Sequence, residues 1–193
     1  IASGSTARLL LQNNIASNNM GTGLSITAKT NSTLLADNPD GAGSGTVTAI
    51  RNNNASNNGA GIVVDAQANS RVSAVIEDNT AIANTLDGLR LTSNAATFDL
   101  GSLSGNLFNG NLNNGTFIHY LNGGTFNAVS EDLNGDGFLS AGEDLNGNGR
   151  LDRGIVSNTM NNNSIAGLCI FGEDASTGAF DIGGPSAALG NTF

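Results

Sequence analysis

The chain has 193 residues, of which 38% are hydrophobic and only 12% charged, with a net charge of −9, one cysteine and no tryptophan. Seven basic residues scattered singly among sixteen acidic ones make no footprint for nucleic acid and no polybasic membrane patch. A single cysteine excludes an internal disulfide framework, and no apolar run approaches the ~20 residues of a membrane-spanning helix. Asparagine (30) and glycine (27) dominate and proline (2) is nearly absent. That balance points away from disorder and toward many tight turns, because Asn and Gly tolerate positive φ. No signal peptide is visible and the chain opens with Ile1, which reads as a mature or excised segment. A low-cysteine, Asn-rich, acidic chain is expected at an extracellular site such as a bacterial cell surface.

In chain order, the apolar segment Arg8-Leu9-Leu10-Leu11 leads into the first copy of a motif: Asn, four residues, Asn, three residues, Gly. It occurs as Asn14/Asn19/Gly23, Asn52/Asn57/Gly61, Asn79/Asn84/Gly88, Asn106/Asn111/Gly115 and Asn158/Asn163/Gly167. Each Gly opens a short segment of period two: Leu24-Ser25-Ile26, Ile62-Val63-Val64, Leu89-Arg90-Leu91, Thr116-Phe117-Ile118 and Leu168-Cys169-Ile170. A second segment follows each: Thr33–Ala36, Arg71–Ala74, Thr97–Leu100, Thr125–Ala128 and Ala179–Ile182. Gly-to-Gly intervals of 38, 27, 27 and 52 give a base repeat of 27 residues with two insertions, both after the second segment and so on one edge. Such a unit has no room for an amphipathic helix and cannot bury its own apolar face. Stacked coils can, bonding at ~4.8 Å with equivalent residues above one another. The expected fold is therefore all-β: a right-handed parallel β-helix (β-solenoid) of about five coils, one domain over 1–193. Asn57, Asn84 and Asn111 are expected to stack as an amide ladder. Gly61 or Gly88 is expected in a turn conformation that a Cβ disfavours.

The run from Asn13 to Ile26, with its near copy from Asn52 to Val64, resembles the parallel β-helix repeat of pectate-lyase-like proteins. That resemblance covers residues 9–182. It implies the right-handed coil and says little of function, since that family ranges from polysaccharide lyases and hydrolases to adhesins and long surface proteins.

The first insertion, Asp37-Asn38-Pro39-Asp40-Gly41-Ala42-Gly43-Ser44-Gly45, reads as a plain Gly-rich loop. The second, at about 130–153, fits an EF-hand loop position by position. Asp132, Asn134 and Asp136 offer side-chain oxygens at positions 1, 3 and 5. Gly137 takes the sharp turn, Phe138 offers its carbonyl, Ser140 stands at position 9, and Glu143 closes the loop at 12. A second loop starts at once with Asp144, Asn146 and Asn148, then Arg150 at the carbonyl position and Asp152 at 9. Its position 12 is Ile155, which cannot bind, so this site is weaker or shares ligands. The expected cofactor is Ca²⁺. Two loops back to back resemble thrombospondin type 3 repeats and depart from dockerins, whose loops are separated by a helix and linker.

A search for chemistry finds little. Arg90 is outward-facing, but its repeat equivalents are Ser25, Val63, Phe117 and Cys169. Asp65, Asp87, Asp99 and Asp181 fall in different coils or turns. His119, beside Tyr120, has no recognisable nucleophile partner in the sequence, and Cys169 follows the strand pattern. Asn31 completes an Asn-x-Thr glycosylation sequon that the frequency of Asn-Ser pairs makes unremarkable. No catalytic residues are expected. The expected function is a non-catalytic extracellular structural or adhesive module. It assembles head to tail into a filament or sits in a longer surface protein, with a surface glycan as a candidate ligand and no membrane insertion. The alternative is a carbohydrate-binding or polysaccharide-degrading β-helix protein, with polysaccharide lyase the enzyme class it would join. A concave groove lined with acidic and aromatic residues would discriminate between them.

Overall fold

A computed structural model describes residues 1–35, 48–132, 138–140, 142–144, 151–183 and 190–193. Among these residues there are fourteen strands and no helix, and so none that is long and apolar enough to cross a membrane. One sheet takes its strands in the order β13 (Ala166–Gly172), β10 (Asn114–Leu121), β8 (Leu89–Asn94), β6 (Ala60–Gln67), β3 (Thr22–Ala28). The other runs β1 (Thr6–Arg8), β4 (Thr33–Leu35), β7 (Arg71–Glu77), β9 (Thr97–Ser104), β11 (Thr125–Ala128), β14 (Thr177–Phe180). The short strands β2 (Leu10–Gln12), β5 (Thr48–Arg51) and β12 (Gly154–Val156) lie beside this path. Every strand pairing is parallel. Leu24 pairs with Ile62, Ile62 with Leu89, Leu89 with Thr116 and Thr116 with Leu168, so each short apolar segment lies against the next along the chain. An all-β chain with parallel sheets of this order is compatible with a β-solenoid.

The period-two pattern decides which side chains are inside. Ile62, Val64 and Ala66 of β6, Leu89 and Leu91 of β8, and Ile118 of β10 point inward and are fully buried. They meet Leu34, Val72, Phe98 and Phe126 from the other sheet. Phe98 and Phe126 stack at 4.8 Å between centroids because parallel in-register strands hold like residues one rung apart, and the Phe180 ring, paired in register with Ala128, reaches back to stack on Phe126 at 5.6 Å.

The corners are built from asparagine. Asn14, Asn53, Asn79, Asn106, Asn158 and Asn191 form one ladder. Asn19, Asn58, Asn84, Asn111 and Asn163 form a second. In each rung the backbone N–H donates to the amide oxygen of the next, and in most the side-chain amide does too. Asn79 N and Nδ2, for instance, reach Asn106 Oδ1 at 2.9 and 3.0 Å. The same Nδ2 also donates to the Ile50 carbonyl at 2.7 Å, so buried amides are satisfied on both sides. The residue before each interior rung turns the corner at positive φ: Asn52 and Asn57, Asp78 and Ala83, Gly105 and Gly110, Ser157 and Asn162.

This geometry corrects three expectations. The ladder residues in the second copy are Asn53 and Asn58, not Asn52 and Asn57. Asn57, at φ 57°, is the exposed corner residue, and Asn58 is 2% exposed. Gly61 and Gly88 do not have positive φ. They are glycine because a Cβ on Gly61 would stand 2.3 Å from the Gly88 carbonyl oxygen, and one on Gly88 2.8 Å from that of Gly115. The last second-segment strand is Thr177–Phe180, in register with Thr125, and not Ala179–Ile182, so Ala179 and not Asp181 falls in the row of Asp99 and Asn127.

Candidate functional site

The second insertion leaves the stack through a closed neck. Ser130 and Arg153 form an antiparallel bridge, and Glu131 N donates to the Asp152 carbonyl at 2.8 Å. Arg153 N donates to the Gly101 carbonyl at 2.8 Å, and Ser130 N to Asp181 Oδ2 at 2.6 Å. Gly101 makes room for the Asp152 carboxylate, since a Cβ there would lie 2.4 Å from Asp152 Oδ1. Within the loop, Ser140 N donates to Glu143 Oε2 at 2.8 Å and Glu143 N to the Ser140 carbonyl at 3.2 Å. This ties positions 9 and 12 of the first loop together. Glu131, Glu143 and Asp152 are 2%, 4% and 4% exposed, while the Phe138 side chain is turned to solvent.

Of the residues expected around calcium, Asp132, Phe138, Ser140, Glu143, Asp144 and Asp152 are described. Asn134, Asp136, Asn146, Asn148 and Arg150 lie outside the described residues, as does the Gly-rich first insertion with Asp37 and Asp40. Among the described residues no group of three His, Cys, Asp or Glu is placed to hold a metal ion. What the neck does establish is that the two flanks of the insertion meet, so residues of both loops share one base. All described donors are oxygens, the chemistry of a hard cation.

A second constellation lies on the outward face of the sheet containing β6, β8, β10 and β13. Register places Val63, Arg90, Phe117 and Cys169 in one row and Asp65, Thr92, His119 and Phe171 in the next. His119 Nε2 is bonded to Glu173 Oε1. The His119 ring lies 5.6 Å from Phe117 and 5.5 Å from Phe171, and Arg90 Cζ stands 5.8 Å from the Phe117 centroid. Beside them an open groove of about 370 Å³ runs along β6 and β8, lined by Asp65, Gln67, Asp87, Arg90, Thr92 and Asn94. Asp87 is 5% exposed and its Oδ1 accepts both Asn114 N (3.1 Å) and Asn114 Nδ2 (2.8 Å). Sequence reasoning gave His119 no partner because Glu173 is 54 residues away, and only pairing of β10 with β13 brings them together. The repeat register carried the signal, since it aligns His119 with Phe171, two residues before Glu173. Asp99, by contrast, is taken up by Arg71 and Asn127.

Compared with protein-family models, with curated proteins and with solved structures, the chain has no significant match in any of the three.

Proposed function

We propose that the chain is a non-catalytic extracellular module, structural or adhesive, at a cell surface. In this reading it is a right-handed parallel β-solenoid of about five coils on a 27-residue base repeat, of the pectate-lyase-like kind. It forms a single domain, and its side insertion binds Ca²⁺. The observation that carries the reading is the pair of asparagine ladders. The recurring geometry of each rung serves stacking, and the buried ladder amides are bonded to one another rather than converging on a substrate. Such a stack offers long outward faces, and an adjoining coil would add at β3 or β13 by the same parallel hydrogen bonds.

Calcium would be held by Asp132, Asn134, Asp136, the Phe138 carbonyl and Glu143, with Asp144, Asn146, Asn148, the Arg150 carbonyl and Asp152 serving a weaker second ion. The insertion is rich in like charges, so an ion would reduce repulsion and fix the loop on its neck. Titrating Ca²⁺ into wild type and Glu143→Ala by calorimetry tests this. Heat from wild type that is lost in the variant is the expected result, and equal heats from both contradict it.

A second reading, a carbohydrate-binding or polysaccharide-degrading protein, is favoured by one observation: the groove beside Phe117, His119 and Phe171, with His119 oriented by Glu173. Release of reducing or unsaturated ends from an acidic polysaccharide, lost in His119→Gln, would favour it over the structural reading.

A further inference from the structure

We infer that the groove along β6 and β8 binds an extended segment of a partner protein carrying basic, acidic and basic side chains at alternate positions. This rests on the adhesive reading and names the kind of partner. The described acids on the opposite sheet are matched within the chain: Glu77 by Arg51 at 2.9 Å and Asp99 by Arg71 at 2.9 Å. Glu173 is matched by His119. Asp65 and Asp87, both lining the groove, have no ion-pair partner among the described residues. Both bonds that Asn114 gives Asp87 go to Oδ1. A carboxylate as buried as Asp87 favours a cation across from it.

The charges are stepped along two neighbouring strands. Asp87 stands just before β8, Arg90 is within it, and Asp65 on β6 is level with Thr92. Along the strand direction these are successive steps of three and two residues, roughly 10 and 7 Å at ~3.3 Å per residue. The trough thus reads negative, positive, negative. Alternate side chains of an extended chain are spaced about 6.6 Å apart and point one way, and lysine stems reach the remaining distance. Leu86, Val63 and Ala60 supply apolar wall for those stems. The amides of Gln67 and Asn94, which line the trough, are placed to meet backbone groups. A single ammonium ion would satisfy only one end, and a neutral sugar would leave both carboxylates without a counter-charge.

The test is an ¹⁵N-resolved NMR titration of the 193-residue chain with capped Lys-Ser-Glu-Ser-Lys and its permutation Lys-Lys-Ser-Ser-Glu, equal in composition and charge. The expected result is shifts at the amides of Asp65, Gln67, Thr92 and Asn94. The permuted peptide should bind at least about fivefold more weakly, and Asp65→Asn and Asp87→Asn should each weaken the first peptide about three- to tenfold, the range of one charge-assisted bond at an open site. Asp87→Asn retains the oxygen that Asn114 uses, and Asp65→Asn is at the surface, so a folded spectrum is expected from both. Equal binding of the two peptides, no binding by a folded chain, or shifts at these amides only with a neutral hexose oligomer overturns the inference. Glu143→Ala should bind the peptide as wild type does, and it reads the calcium proposal separately.

Discussion

Replacing Asn106 by leucine removes a fully bonded interior rung of the first ladder. Asn106 is 1% exposed. Its Oδ1 accepts from Asn79 N at 2.9 Å and from Asn79 Nδ2 at 3.0 Å. Its Nδ2 donates to Ile76 O (2.9 Å), Ser104 O (3.0 Å) and Asn158 Oδ1 (2.9 Å). Leucine has nearly the same volume but neither donor nor acceptor. Asn79 Nδ2 keeps its bonds to Ile50 O and Glu77 O, and Asn158 Oδ1 keeps the Asn106 backbone N–H. The Asn79 backbone N–H, in a residue 1% exposed, loses the acceptor it had. One orphaned buried donor costs about 1–3 kcal/mol and the lost bonds add about 1, so a loss of about 2–4 kcal/mol is expected. Asn14→Leu is the matched control. Asn14 is exposed, its oxygen receives no bond from an earlier rung, and its backbone N–H still reaches Asn53 Oδ1 at 3.0 Å. A loss below about 1 kcal/mol is expected there. Urea unfolding followed by circular dichroism gives both numbers. Amide exchange at Asn79 gives a local readout, which matters because stacked repeats need not unfold in one step. If Asn106→Leu proved as mild as Asn14→Leu, the ladder would not be a source of stability.

Thr116 occupies an inward position whose counterparts are Leu89 and Leu168, and its hydroxyl is buried without a partner, so Thr116→Val should raise stability by about 1 kcal/mol, read as a higher Tm. Ala83 sits at φ 55° on an exposed corner where other copies carry Asn or Gly. Ala83→Asn should therefore stabilise by about 0.5–1 kcal/mol in the same assay, and no change would mean the corner is not strained. Gly61→Ala forces a Cβ to 2.3 Å from the Gly88 carbonyl and 2.7 Å from Ala81 Cβ, so a loss of about 3 kcal/mol or more is expected, with Gly21→Ala, which meets open space, nearly neutral.

The parallel all-β architecture was legible because successive parallel strands and the asparagine rungs between them impose the same requirements again and again. A corner, a rung and a close approach recur at fixed offsets, as in Asn79/Asn84/Gly88 and Asn106/Asn111/Gly115. The slip at Asn52 and Asn57 has a physical cause. Asparagine suits both the positive-φ corner and the ladder, and in the pairs Asn52-Asn53 and Asn57-Asn58 the sequence does not distinguish the two roles. Where the corner residue is Asp78, Ala83, Gly105 or Gly110 there is no ambiguity. The glycine positions were found for a wrong reason, since crowding between stacked backbones leaves no trace in local turn propensity. The EF-hand-like pattern of the second insertion is visible in the sequence, whereas the closure of its neck through Glu131, Asp152 and Gly101 depends on contacts between residues more than twenty apart in sequence. The outer-face groups were missed because strand pairing alone brings His119 to Glu173, and because Asp65 and Asp87 look like ordinary solvated charges until their neighbours are known.

The parallel stack is tested most directly by scalar couplings across its hydrogen bonds. In a uniformly labelled sample, a long-range HNCO experiment correlates an amide nitrogen with the carbonyl carbon that accepts its proton, including side-chain carboxamides. Cross-peaks are expected from the amide of Asn53 to Cγ of Asn79, from Asn79 to Asn106, from Asn84 to Asn111 and from Asn106 to Asn158. Correlations from these amides to carbonyls within their own coil, with none to the next asparagine, would contradict the stack.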